Sequence, residues 1–117
     1  MIIYEVNLRV VASVEEAYRE WLAIHVRELL DLPGFCSAEF FEVQAQPADL
    51  KFAHLCVQYR LASASALARY LEVDAPRMRA EGQLRFAGQF TATRRVMSPV
   101  IELLAQTDKT PSVDTGT

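Results

Sequence analysis

His25 follows Trp21 by one helical turn, on the apolar side of a segment running from Val14 to Leu32. An imidazole placed there titrates near neutral pH and can take a proton from a substrate or hold a ligand. The plainer role of a histidine on such a face is a hydrogen-bonded core side chain, and no second acid-base group stands at a fixed spacing to argue otherwise. Asn7 and Tyr59, on strand-like stretches, are the other candidates for orienting a substrate. Trp21, Tyr4 and Tyr59 suit an aromatic pocket, and equally a core in which their polar atoms find partners. Arg77, Arg79, Arg85, Arg94 and Arg95 make the densest local charge, with only Glu81 acidic among them. Arginines near a helix start at Pro76 suit a phosphate or carboxylate, because guanidinium groups and free backbone amides both favour an anion. The competing role is charge balance against Glu15, Glu16, Glu20, Glu28 and Asp31 of the first helical segment.

Other chemistry is weakly represented. Cys36 and Cys56 with the distant His25 and His54 are too few and too scattered for a metal centre, so neither metal nor cofactor is expected. Both cysteines lie in apolar strand-like surroundings and read as buried, reduced thiols. A net charge of -3 argues against a general nucleic-acid binder, which carries a basic surplus. No apolar run reaches membrane-spanning length, and the first residues lack the pattern of a signal peptide, so the expected compartment is the cytoplasm.

The elements that must hold these residues are legible from period. In Ile2 to Val11, Tyr4, Val6, Leu8 and Val10 alternate with Glu5, Asn7 and Arg9, giving a strand with one apolar and one polar face. Ser13 and Glu16 read as a capping box for a helix whose apolar side carries Val14, Ala17, Tyr18, Trp21, Leu22, His25, Leu29 and Leu32. Pro33-Gly34 ends it. Phe35 to Val43 and Phe52 to Leu61 read as strands around a polar loop. Ser63 or Ser65 caps a helix carrying Leu67, Tyr70 and Leu71, which Asp74-Ala75-Pro76 interrupts. A further helical piece from Pro76 to about Arg85, weakened by Gly82, carries Met78, Leu84 and Phe86, and Gln89 to Met97 is a fourth strand whose apolar row Arg94 breaks.

Residues 1–97 therefore predict one α+β domain, the ferredoxin-like βαββαβ order, an antiparallel four-stranded sheet with both helices on one face. A short helical extension is expected over residues 98–106 and a disordered tail over 107–117. The helix-free face, with Ile3, Asn7, Cys56, Gln58 and Thr93, is only half polar. Pairing two such faces hides it, which predicts a symmetric homodimer, a dimeric α+β barrel.

The opening MIIYEVNLRV, the helix with Trp21 and His25, LPGF at 32–35, VQYRL at 57–61, APRMRAEG and FTATRR together resemble an uncharacterised bacterial family of small proteins of unknown function. That family is similar in layout to the dimeric α+β barrel superfamily, which includes cofactor-free quinone-forming monooxygenases, haem-degrading enzymes, stress-response barrels and binding modules. The resemblance implies the fold and the dimer and no reaction. Some of the oxygenases place an asparagine on the first strand near a tryptophan and a histidine or arginine, and Asn7, Trp21, His25 and Arg94 are a partial echo of that set. The alternation, however, sends Asn7 to the face away from the helices. Two functions follow: a module binding a small ligand or a protein partner, with Trp21, Arg77 and Arg94 as ligand contacts, or a cofactor-independent monooxygenase-like enzyme acting on an aromatic or anionic molecule, with His25 as base and Asn7, Tyr59 or Arg94 orienting it. The enzyme predicts a concave, largely apolar cavity of roughly several hundred Å³ with His25 or Asn7 on its wall; the binding module predicts a filled core and an exposed apolar patch elsewhere.

Overall fold

The computed structural model describes residues 1–44 and 49–107. Strand β1 (Ile2–Val11) buries Tyr4, Leu8 and Val10 on one face, as its alternation requires. A short 3-10 turn (Ala12–Val14) leads into helix α1 (Glu15–Leu29), which buries Tyr18, Leu22, Val26 and Leu29 at helical spacing. Strands β2 (Phe35–Val43) and β3 (Phe52–Leu61) follow. Helix α2 (Ala64–Arg69), a π-turn (Tyr70–Asp74) and helix α3 (Ala75–Phe86) then form one continuous helical rod before strand β4 (Phe90–Met97). The sheet order is β2-β3-β1-β4 with every neighbour antiparallel, which is the ferredoxin-like arrangement. Both helical layers cover one face, and the core between them and the sheet is built from Tyr4, Tyr18, Leu55, Tyr59, Leu61 and Met78.

Two local devices fix the path of the chain. Ser63 accepts a hydrogen bond from the Ala66 amide at 3.1 Å, capping α2. Gly34 leaves α1 with a φ of +85, and a Cβ there would stand 2.4 Å from that of Ala66. Left-handed backbone and a steric clash act together, so Gly34→Ala is expected to lower stability by about 3 kcal/mol. A urea titration checks this, and an unchanged midpoint would contradict it.

Several sequence expectations need correction. Ser13 makes no capping bond, because it is drawn into the 3-10 turn, and Glu15 and Glu16 serve the helix start through its dipole instead. Asp74-Ala75-Pro76 does not interrupt the helix: the π-turn widens the backbone just ahead of Pro76, where the missing amide does no harm. The inward row of α3 is then Ala75, Met78, Gly82 and Phe86, which leaves Leu84 on the solvent side, as Leu71 is on the turn before it. Cys56 is buried as expected, but Cys36 is exposed, because a register irregularity between Phe35 and Ser37 takes it out of the ladder of the edge strand. Residues 98–106 form no helix; Val100, Ile101, Leu103 and Leu104 stand exposed, and without a groove to dock in so short a segment gains nothing from coiling. The tail expected from 107 onward lies, after Thr107, outside the described residues, as does the middle of the loop between β2 and β3.

Candidate functional site

The periodicity of α1 and the turn in the helical rod leave a gap between helices and sheet. A cavity of about 200 Å³ opens there. Its floor is Tyr4, Val6, Leu8, Val57 and Tyr59 from the central strands, and its roof includes Trp21, His25, Tyr70 and Met78. Gly82 belongs to the roof by necessity. A Cβ on it would meet the indole of Trp21 at 2.9 Å, so a residue that looks like a helix defect is what lets α3 approach α1 this closely.

The walls are mostly aromatic. Tyr4 stacks on Tyr59 at 6.0 Å, Tyr4 meets Tyr70 edge-on at 6.0 Å, and Trp21 lies over His25 at 4.6 Å with the planes 24° apart. Burial raises the phenols of Tyr18 and Tyr59 well above their usual range and pushes Tyr70 up to about 12, so all three stay neutral at physiological pH. The charge of Arg94 pulls the other way on each of them, which places that guanidinium beside the cavity.

Three cationic or basic groups interrupt this apolar wall. Arg79 donates to the Tyr4 hydroxyl at 3.1 Å. Arg94 sits on the helix-facing side of β4, where it broke the apolar row of the sequence. Neither is ion-paired among the described residues. Burial lowers the pKa of His25, with Glu28 opposing, and its Nδ1 is buried with no hydrogen-bond partner among the described residues. A buried nitrogen left in that state is uncommon and costs stability unless something completes it.

Six of the residues singled out by sequence therefore share one chamber: Tyr4, Trp21, His25, Tyr59, Arg79 and Arg94. Asn7 does not join them. It lies on the helix-free face, as its phase in β1 predicted, and donates to Glu5 at 2.9 Å. Arg77 also stands apart, exposed and paired with Asp74 at 3.3 Å. The arginines do not balance the acidic first helix: Arg77 takes Asp74, Arg95 takes Glu5, and Arg79 takes a tyrosine.

The helix-free face carries a second organised group that the sequence reading passed over. The register aligns Glu39, Gln58, Glu5 and Arg95 across all four strands. Glu5 is 3% exposed and accepts from Asn7, from Gln58 at 2.8 Å and from Arg95. Those bonds, that of Arg95 first, hold its carboxyl down at about 2 against the opposing effect of burial. Its signal in the sequence was only a lone acid in a strand.

The fold is shared with proteins of distant sequence. SnoaB, a cofactor-independent oxygenase from Streptomyces nogalater, is 14% identical with a TM-score of 0.63, over 87% of this chain and 96% of that one. An ethyl tert-butyl ether D family protein from Bacillus halodurans is 17% identical with a TM-score of 0.58, over 86% of this chain and 100% of that one. The de novo designed protein Foldit4 is 11% identical with a TM-score of 0.57, over 85% and 98%. An oxygenase and a designed protein on one layout show that the fold selects no chemistry. No curated protein sequence matches the chain, and no helix among the described residues is long and apolar enough to cross a membrane. The model of a domain of unknown function, DUF4286, matches residues 1–100, and the chain belongs to that family.

Proposed function

We propose that the protein is a homodimeric binding module whose cavity takes a small aromatic molecule carrying an acidic group. The observation that carries this reading is the pair of guanidinium groups, Arg79 and Arg94, bordering an aromatic chamber without a carboxylate partner among the described residues. The tyrosines and Trp21 offer ring faces, and the arginines offer the charge an anion needs. A chamber of about 200 Å³ is small beside drug-sized pockets of roughly 300–1,000 Å³, so the ligand is about one ring in size. The dimer forms through the helix-free face, whose charges are paired within the protomer, Glu5 with Arg95, Glu39 with Arg60 and Arg9 with Asp49, so that a second copy can cover them without leaving one unpaired. The cytoplasm is the proposed setting, where an exposed thiol such as Cys36 stays reduced.

The open chamber with His25 and Tyr59 on its wall is what the enzyme reading expects in place of a filled core, but its volume of about 200 Å³ is small for a substrate pocket, and Asn7, on the other side of the sheet, divides the set echoed in sequence. Binding is the reading with more support. A thermal-shift series with benzoate and salicylate, and with benzamide and benzyl alcohol as uncharged counterparts, tests it. The acids are expected to raise Tm more than the neutral compounds, and Arg94→Gln to weaken the acids at least about tenfold while leaving the neutral compounds alone. Equal responses to acids and neutrals, or none to either, would overturn the reading.

A further inference from the structure

His25 and Glu28 are three residues apart on α1 and so share a face of that helix, and α3 brings Glu81 to the same place. The coordinating atoms of the three all lie within 4.8 Å of one another, with His25 Nδ1 3.9 Å from a Glu81 carboxylate oxygen. We propose that these three side chains form a divalent-metal site, best suited to zinc, that ties α1 to α3 beside the cavity.

Two observations lift the cluster above an ordinary pair of surface acids. The Nδ1 of His25 is buried and lacks a hydrogen-bond partner among the described residues, so a lone pair is available there in the Nε2-protonated tautomer. Glu28 and Glu81 have no lysine or arginine partner among the described residues, although α1 and α3 carry five arginines between them. Two uncompensated carboxylates beside an uncompensated imidazole are the complement of one doubly charged cation. Bond lengths of about 2.0–2.2 Å set ligand atoms a little over 3 Å apart around a tetrahedral zinc. The glutamates close the remaining distance by side-chain rotation, since both sit on helix surfaces with free χ angles. One nitrogen and two oxygens also leave a coordination position for water or a ligand. The site does not require the cavity ligand. A metal on Nδ1 removes that nitrogen as a proton acceptor, so the proposal competes with the use of His25 as a base.

The chain has a single tryptophan, and it stacks on this histidine at 4.6 Å, which makes it a reporter. Titrating the full chain with Co²⁺ is expected to quench Trp21 fluorescence with saturation at one equivalent, reversibly on adding EDTA, and Zn²⁺ is expected to displace the cobalt. Glu28→Gln and Glu81→Gln should each weaken this binding at least tenfold with the apo melting temperature unchanged, because neither carboxylate supports the core. His25→Ala should abolish it; since that change also touches the core, the two glutamate variants decide the matter. Quenching that persists unaltered in both, or no saturable quenching in the native chain, would overturn the proposal.

Discussion

Gly82→Leu is expected to close the cavity without unfolding the protein. The glycine backbone faces Trp21 so closely that a Cβ would come within 2.9 Å of the indole, and the remaining carbons of a leucine have only the chamber to enter. Two effects on stability oppose one another. Removing a glycine from a helix interior gains about 1 kcal/mol, and overpacking a fitted interface costs about 1–3 kcal/mol. Net destabilisation is therefore at most about 2 kcal/mol, while ligand affinity falls by at least about a hundredfold because the volume itself is gone. Calorimetry with salicylate checks the affinity, and circular dichroism with sedimentation checks that fold and assembly survive. Gly82→Ala, which adds only the first carbon, should displace Trp21 slightly and cost about tenfold in affinity. Undiminished binding in the leucine variant would mean that the ligand lies elsewhere, and the role assigned to Arg94 would fall with it.

What the sequence could show was set by range. The phase of β1 was legible because strand alternation is local: it puts Tyr4 and Leu8 under the helices and Asn7 away from them, and so separates Asn7 from His25 by pattern alone. Pro33-Gly34 was legible for the same reason, as a stop signal read within one turn. The partners of charges were not. Which acid meets Arg95 or Arg77 depends on contacts between strands and helices far apart in the chain, and the general rule that surface charges balance says nothing about which pairs form. Glu81 reaches His25 only because α3 packs beside α1, so a ligand set spanning residues 25 to 81 has no spacing to recognise. Gly82 looked like a weak point in a helix for want of knowing that Trp21 lay opposite. Leu84 is exposed although apolar, because burial on a helix follows phase rather than character, and its phase against Met78 and Gly82 puts it outside.

Glu5→Ala is expected to weaken assembly and stability together. The carboxylate is the common acceptor for Asn7, Gln58 and Arg95 in the middle of the helix-free face. In a lone protomer the exposed Arg95 can turn to water, but Asn7 and Gln58 lose the buried acceptor they share, at a cost of about 1–2 kcal/mol. Beneath a second copy they are left without an acceptor, and the cost rises to about 2–3 kcal/mol. Sedimentation at micromolar concentration should therefore show a dimer for the native chain and a shift toward protomers for the variant. The same group sets an acid limit. Its carboxyl is lowered from an ordinary 4.5 to about 2 in the folded protein, so the stability it contributes is complete above the unfolded value and drains away as pH falls from about 4.5 toward 2. Glu5→Gln keeps the shape, cannot titrate, and starts from a lower plateau. Melting temperatures measured from pH 6 to pH 2 should thus converge for the native chain and this variant as the acid is protonated. Parallel curves would mean that the carboxylate is not the group being titrated, and a native chain that sediments as a protomer would mean that its donors already have water enough.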